Sequence, residues 1–319
     1  MFGDIMNKIV LISLYFGSYP EYFNLWLKSA EKNEKIDFII AGNCEIAKYE
    51  PLPKNVKAIF CTLEEVKKKF EKKLGFKIVL DKPYKLCDYK PIYSLVFEQE
   101  IFGYEYWGYI DIDTVLGNIY AFLPKEHYEK IYQFGHLTLY KNTPENNCRF
   151  MQSGGMNYKK AFSTSFNMIF DELPGMKKKY DILKVPQYLS NDFADIARRR
   201  LNFTLNSELC GKNYKYQIFY YDNGRVFRDY YKDEKICTNE YNYIHFSHRR
   251  MPDKTNGSDS FYITRFGFIP KRGKTSLDII KKYNAPTPIQ NIFCSFQTQV
   301  IRRVKRYSEL VILKLTGKG

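Results

Sequence analysis

Two aspartates one residue apart, Asp111-Ile112-Asp113, follow directly on an apolar aromatic segment, Tyr104–Ile110 (YEYWGYI). A segment of that composition is expected to form a buried strand, and burial alone gives no use for two anions at its end. Paired carboxylates there can hold a hard divalent cation, magnesium or manganese, whose remaining positions go to water and to diphosphate oxygens. The two side chains point to opposite faces if the strand runs through both. They converge only if the strand ends there and turns, which Gly117 and Asn118 allow.

Three further groups carry chemistry. His245 and His248, half of the four histidines, sit beside Arg249-Arg250. Imidazole can complete the coordination of a borderline ion such as manganese, and guanidinium groups clamp phosphate oxygens. Lys85–Pro91 (KLCDYKP) sets Lys85, Asp88 and Lys90 where they could neutralise a diphosphate or accept hydrogen bonds from a ribose or a base. Asp171-Glu172 precedes Pro174-Gly175, and a carboxylate there could deprotonate an attacking hydroxyl. Taken one at a time, these groups also read as a turn pair, a surface histidine pair, a solvated loop and a solvated helix end.

Elements must hold these groups in place. Lys8–Leu14 (KIVLISL) is a continuous apolar run, as in a parallel strand covered on both faces. Pro20–Lys32 has helical spacing, Ile36–Ala41 and Val56–Cys61 read as second and third strands, and Thr62 caps a charged helix over Leu63–Leu74. Helices are expected over Ile92–Ile101, Phe162–Leu173 and Ser190–Arg200, a strand over Gly135–Lys141, and short Tyr-rich strands over Tyr214–Phe246. The alternation predicts an α/β domain with a mainly parallel sheet flanked by helices. In such sheets ligands bind beyond the carboxyl ends of the strands, where Tyr15, Asn43 and Asp111 fall.

Composition narrows the classes. A chain of 319 residues with 45% hydrophobic content can bury a real core. Its formal net charge of +15 fits nucleic acid, an anionic membrane surface or a polyanionic substrate. The absence of a recognisable nucleic-acid module, and a carboxylate pair that would repel phosphate without a metal, argue against nucleic acid. The seven cysteines are scattered, with no CxxC pair, which suggests neither a disulfide framework nor a zinc site and points to a cytoplasmic setting. The apolar run Ile9–Phe16 is too short to span a bilayer and lacks the marks of a signal peptide.

Taken together, the motifs resemble a nucleotide-sugar-dependent glycosyltransferase of the GT-A fold. They are more closely similar to a family of bacterial glycosyltransferases associated with capsule, lipopolysaccharide and other surface glycans. The segments that carry the resemblance are 13–42, YKLCDYKP (84–91), YWGYIDIDTVLGNI (106–119), FGHLTLYKN (134–142), IFDE (169–172) and YIHFSHRRM (243–251). The resemblance implies that Asp113 ligates the metal directly, that Asp111 contacts ribose, a metal-bound water or the ion, and that His245 is the late metal ligand. It further implies that Arg249 or Arg250 holds the diphosphate and that Tyr15 and Phe16 flank the base. Asp88 and Lys90 would line the nucleotide pocket, and Asp171 or Glu172 would face the acceptor. This chain departs from the family at Gly42-Asn43, where a Thr-Asp pair is usual, and at Ser247-His248, where Gln-Lys is usual. The second departure leaves His245 and His248 both open as the metal-binding histidine.

The expected organisation is a GT-A catalytic domain over 1–270, with a nucleotide-binding half (1–120) and an acceptor-binding half (121–270), followed by a tail over 271–319. Apolar residues from Ile289 to Leu315 recur at helical spacing with Arg302, Arg303, Lys305 and Arg306 between them. A basic amphipathic helix of this kind would hold the enzyme peripherally on the cytoplasmic face of an anionic inner membrane. The expected activity is metal-dependent transfer of a hexose from a UDP-sugar to a hydroxyl of a surface glycan or lipid-linked acceptor. The rivals are a nucleotidyltransferase or phosphotransferase using the same carboxylates, weakened by the lack of a Gly-rich loop at Gly17-Ser18-Tyr19-Pro20, and a non-catalytic nucleic-acid-binding protein.

Overall fold

The computed structural model describes residues 8–198 and 202–284, together with positions 300 and 304. The chain opens with β1 (Ile9–Tyr15), α1 (Phe23–Glu31), β2 (Ile36–Gly42), β3 (Val56–Phe60) and α2 (Leu63–Leu74). The continuous apolar run of β1 is satisfied on two sides. Ile9 and Leu11 pack with Trp26 of α1, and Val10, Ile12 and Leu14 pack with Phe70 of α2 and with Tyr89. The start of α2 is the capping box that Thr62 predicts, with Glu65 reaching back to the Thr62 N–H and Gly75 closing the far end in the left-handed conformation.

After β4 (Tyr106–Ile110) come β5 (Thr114–Leu116), β6 (Lys130–Phe134), β7 (Leu137–Lys141), β8 (Gln187–Tyr188) and β9 (Ala194–Asp195). They are followed by β10 (Gln217–Asp222), β11 (Arg225–Lys232), β12 (Lys235–Tyr241), β13 (Tyr243–His245), β14 (Ser260–Thr264) and β15 (Gly267–Pro270). The main sheet has seven strands in the order β3-β2-β1-β4-β7-β6-β8 and is mainly parallel. The chain therefore travels outward from β1 to β3 and then returns to lay β4 on the other side of β1. That reversal opens a crevice at the carboxyl ends of β1 and β4. A five-stranded antiparallel sheet, β12-β11-β10-β14-β15, packs into the same core as α1 through Phe268 and Tyr22. A third sheet of three short strands, β5-β13-β9, stands at the mouth of the crevice.

Three expected helices do not form. Over Ile92–Ile101 the chain instead ends a 3-10 segment, Pro83–Leu95, broken at Ile92 next to Pro91, whose missing N–H interrupts the ladder. Helix Tyr158–Phe162 stops early because the N–H groups of Met168 and Phe170 donate to the Asp88 carboxylate at 2.9 and 2.8 Å rather than to helical carbonyls. Ser190–Arg200 contains β9, drawn out of helical geometry by pairing with β13. The stretch from Ile289 to Leu315 lies outside the described residues except for Val300 and Val304, both helical and exposed. Among the described residues no helix is long and apolar enough to cross a membrane.

Lys130 on β6 is wholly buried, with its ammonium donating to the Tyr132 carbonyl. Burial, with Lys177 nearby, pulls it down to about 7. Its unfolded value is higher, so from about 7 up to its ordinary range the unfolded chain binds the extra proton and stability rises with pH. The penalty is full below that window. Lys130→Met is therefore expected to be more stable than wild type by about 2–3 kcal/mol at pH 7, after allowing for one lost hydrogen bond. Urea melts should show this gain shrinking toward pH 10, and a pH-independent difference would refute the cause.

Candidate metal centre and pocket

β4 ends at Ile110, and the chain bends through Asp111 and Asp113 before entering the separate small sheet at Thr114. The turn that lets the carboxylates converge is thus the aspartate segment itself, not Gly117-Asn118. Three bonds hold it: Thr114 Oγ1 to the Asp111 carbonyl at 2.8 Å, the Asp111 N–H to the His136 carbonyl at 3.0 Å, and the Phe246 N–H to the Asp113 carbonyl at 2.9 Å. Ile112 is buried between the two aspartates and anchors the bend in the core.

The small sheet then delivers the histidine. His245 is the register partner of Thr114 across the β5/β13 pair. One ligand atom from each of Asp111, Asp113 and His245 lies within 4.8 Å of the others, so the three can converge on one ion. His245 Nε2 stands 3.5 Å from Asp113 Oδ1, too long for a good hydrogen bond and suited to two ligands sharing one cation. The other carboxylate oxygen, Asp113 Oδ2, accepts the His248 N–H at 2.5 Å. Ser247 and His248 both adopt the left-handed conformation, with φ of 49° and 59°, a strained arrangement for two non-glycine residues that turns this N–H onto Asp113. The His248 ring is exposed on the pocket side, so of the two histidines His245 takes the buried position.

Electrostatics match a site that wants a cation. Burial would raise Asp113, yet His245 and His248 hold it well below the usual carboxylate range. Burial would lower His245, and Asp113 and Asp195 instead hold it well above the ordinary imidazole value. Metal binding here would therefore compete with a proton on His245. Two carboxylates and one imidazole form a donor set that suits manganese or magnesium.

The adjoining crevice is a pocket of about 210 Å³ whose walls include Tyr15, Phe16, Tyr84, Lys90, Asp111 and Asp113, with His248 at the edge. Its apolar side is aromatic and its floor is charged, the layout of a site for a flat ring joined to an anion. Lys90 is enclosed, with Nζ 2.5 Å from Asp111 Oδ1 and 2.7 Å from the Gly135 carbonyl. At the end of β2, Gly42 takes a φ of 149°, and a Cβ there would come within 1.7 Å of the Tyr15 carbonyl, so only glycine lets the second strand end this close to the site. Asn43 beside it is exposed and accepts the Gly17 N–H at 3.0 Å, which steadies the loop after β1.

Several expected site residues lie elsewhere. Lys85 and Asp88 form a fully buried ion pair at 2.6 Å; Lys85 also donates to the carbonyls of Ala161 and Phe166, and neither side chain lines the pocket. They bind two chain segments together. Arg249 donates to the Ala197 carbonyl at 2.7 Å and packs over Phe203, and neither Arg249 nor exposed Arg250 lines the pocket. Asp171 and Glu172 flank Gly135 behind Lys90; a Cβ at Gly135 would meet Asp171 Oδ2 at 2.5 Å and Glu172 Oε1 at 2.9 Å. Burial pushes Asp171 well above the usual carboxylate range against the pull of Lys90. Burial also raises Glu172, opposed by the Gly135 N–H it accepts at 3.0 Å. Asp171 is closed off and Glu172 half-buried, so Glu172 is the one of the pair with access to solvent.

Three residues were not anticipated from the sequence. Tyr84, 59% exposed, forms part of the pocket wall. His136 stacks on His245 at 4.7 Å between centroids and is held neutral by burial, which takes it down to about 3. Asp195 bonds His245 Nδ1 at 2.8 Å. Tyr84 and His136 had a signal, their places in the YKLCDYKP and FGHLTLYKN segments; Asp195 is placed by a sheet pairing that no local pattern announces. No curated protein matches the sequence. The chain does match, over residues 11–272, the family of unknown function DUF6625, and it belongs to that family.

Proposed function

We propose that the chain is a metal-dependent glycosyltransferase of the GT-A type that moves a hexose from a UDP-sugar to a hydroxyl of a bacterial surface glycan or lipid-linked acceptor. The observation that carries this reading is the convergence of Asp111, Asp113 and His245 at the crevice between the carboxyl ends of β1 and β4. In the proposed mechanism Asp111, Asp113 and His245 hold the ion. When bound, it offsets the charge that grows on the departing diphosphate. Lys90 adds a fixed cation on the floor of the same pocket, and Tyr15, Phe16 and Tyr84 offer the base an aromatic wall. Glu172 stands behind Lys90 outside the pocket wall and, as the solvent-open member of its pair, is assigned to take the proton of the attacking hydroxyl from an acceptor entering on that side. The basic stretch over 289–315 would bring the enzyme to the anionic surface where lipid-linked acceptors lie.

Thermal shift with a nucleotide panel, with and without manganese, tests the donor. UDP is expected to raise the melting temperature only when manganese is present, because diphosphate and ion complete each other's coordination. Release of UDP from UDP-hexoses confirms the reaction class. Equal responses with and without metal would sink the reading, and release of pyrophosphate from a nucleoside triphosphate would mark nucleotidyl transfer instead.

A further inference from the structure

We propose that Asp195 is a positioning residue for the metal centre: it holds the Nδ1–H of His245, fixing the tautomer and ring angle that aim Nε2 at the ion. The inference rests on the metal-binding part of the reading above and not on which nucleotide or sugar is used.

The placement comes from the backbone. β9 and β13 pair in parallel with His245 opposite Asp195, so the two side chains leave the same face of the small sheet. The pairing is secured by the Ile196 N–H on the His245 carbonyl at 2.9 Å, and on the other side of β9 the Asp195 carbonyl accepts the Asn206 N–H at 2.7 Å. Asp195 Oδ1 then lies 2.8 Å from His245 Nδ1. The carboxylate is itself fixed: Ser247 Oγ donates to Oδ1 at 3.2 Å and Asn206 Nδ2 to Oδ2 at 2.8 Å. His136 stacked on the ring restricts its rotation.

Which imidazole nitrogen can ligate is set by the hydrogen bond the other makes. With Nδ1 committed to Asp195, the lone pair available to a cation is on Nε2, the nitrogen that faces Asp113 Oδ1. A buried histidine–aspartate pair serving stability alone has no need of further anions at its far nitrogen. Here two more carboxylates, Asp111 and Asp113, gather on that side. Partners of this kind on metal-bound histidines are worth about 10–100-fold in metal affinity.

The test is a manganese titration of the full chain without nucleotide, read from the EPR signal of free manganese. The proteins are wild type, Asp195→Asn, His245→Ala and the double variant, with metal-free thermal melts as folding controls. Asp195→Asn is expected to weaken binding about 10–100-fold. The double variant should bind no more weakly than His245→Ala, since a group that acts through His245 has nothing left to act on. Asn206→Ala, which leaves the His245–Asp195 bond in place, should lose much less. If Asp195→Asn does not fold, Asp195→Ser takes its place in the cycle. Binding unchanged in the Asp195 variant overturns the proposal while the metal centre stands. Additive losses also overturn it, because they would make Asp195 an independent ligand. If wild type does not bind manganese, or Asp113→Ala binds as wild type does, the metal centre fails and this inference fails with it.

Discussion

Asp113→Asn is expected to fold, with some stability lost along with the Asp113–His245 ion pair, yet to lose manganese-dependent UDP binding and about 10³-fold or more of kcat/KM. The asparagine keeps a carbonyl oxygen that can accept the His248 N–H, now bonded to Asp113 at 2.5 Å, so the loop after β13 retains its anchor. What it loses is the negative charge facing His245 at 3.5 Å. A metal that offsets charge in a displacement is worth several kcal/mol, and each 1.4 kcal/mol is about tenfold in rate, which sets the expected loss. Asp113→Ala should lose as much activity and more stability, because His248 N–H and His245 then face an empty space. The contrast between the two variants separates the ligand role from the anchoring role. Chelation should reduce wild type to the level of Asp113→Asn and leave the variant unchanged. An Asp113→Asn protein that still shows a metal-dependent UDP shift would remove the ion from Asp113.

Why Asp113 could be singled out from sequence, and Asp195 could not, has a physical cause. The first strands announce themselves locally: β1 by an unbroken apolar run, α2 by a Thr62/Glu65 capping box, β4 by aromatic residues ending in two charges. A carboxylate pair at the end of a buried strand conflicts with its surroundings, and such a conflict can be seen without a partner. Asp195 sits in a two-residue strand whose only reason to exist is its pairing with β13, fifty residues away. Its local sequence favours a helix, and a long-range pairing overrode it. Lys85 and Asp88 show the reverse error. Charged side chains are ordinarily exposed, so a Lys-x-x-Asp segment beside a pocket reads as lining it. Their burial depends on the carbonyls of Ala161 and Phe166 and the N–H groups of Met168 and Phe170 arriving from a distant segment. Arg249 is drawn the same way, to Ala197 and Phe203. Local chemistry thus marked the strand end where Asp111, Asp113 and His245 converge, and tertiary pairing decided which of the nearby charges stand beside it.

Lys90→Met is expected to be the most destabilising substitution at the site. Burial works against the Lys90 ammonium, but Asp111 foremost, with Asp171 also contributing, holds its pKa well above the usual lysine value. Glu172 feels the same cation. Methionine matches the stem but leaves these carboxylates without it, and removing one partner of a buried ion pair costs about 3–5 kcal/mol. The deficit should depend on pH with a definite sign. Asp171 and Glu172 already have raised values in the folded protein, and losing Lys90 raises them further. A carboxyl whose folded value lies above its unfolded value binds more protons when folded, so stability falls as pH rises between the two values. The deficit of Lys90→Met should therefore grow as the pH rises. Urea melts of both proteins at pH 5 and pH 8 give the comparison. Manganese should recover part of the loss at pH 8, since an ion on Asp111 takes over the charge that Lys90 supplied. A deficit that is equal at both pH values would reduce Lys90 to a packing residue and leave the charge balance of the pocket floor without its cation.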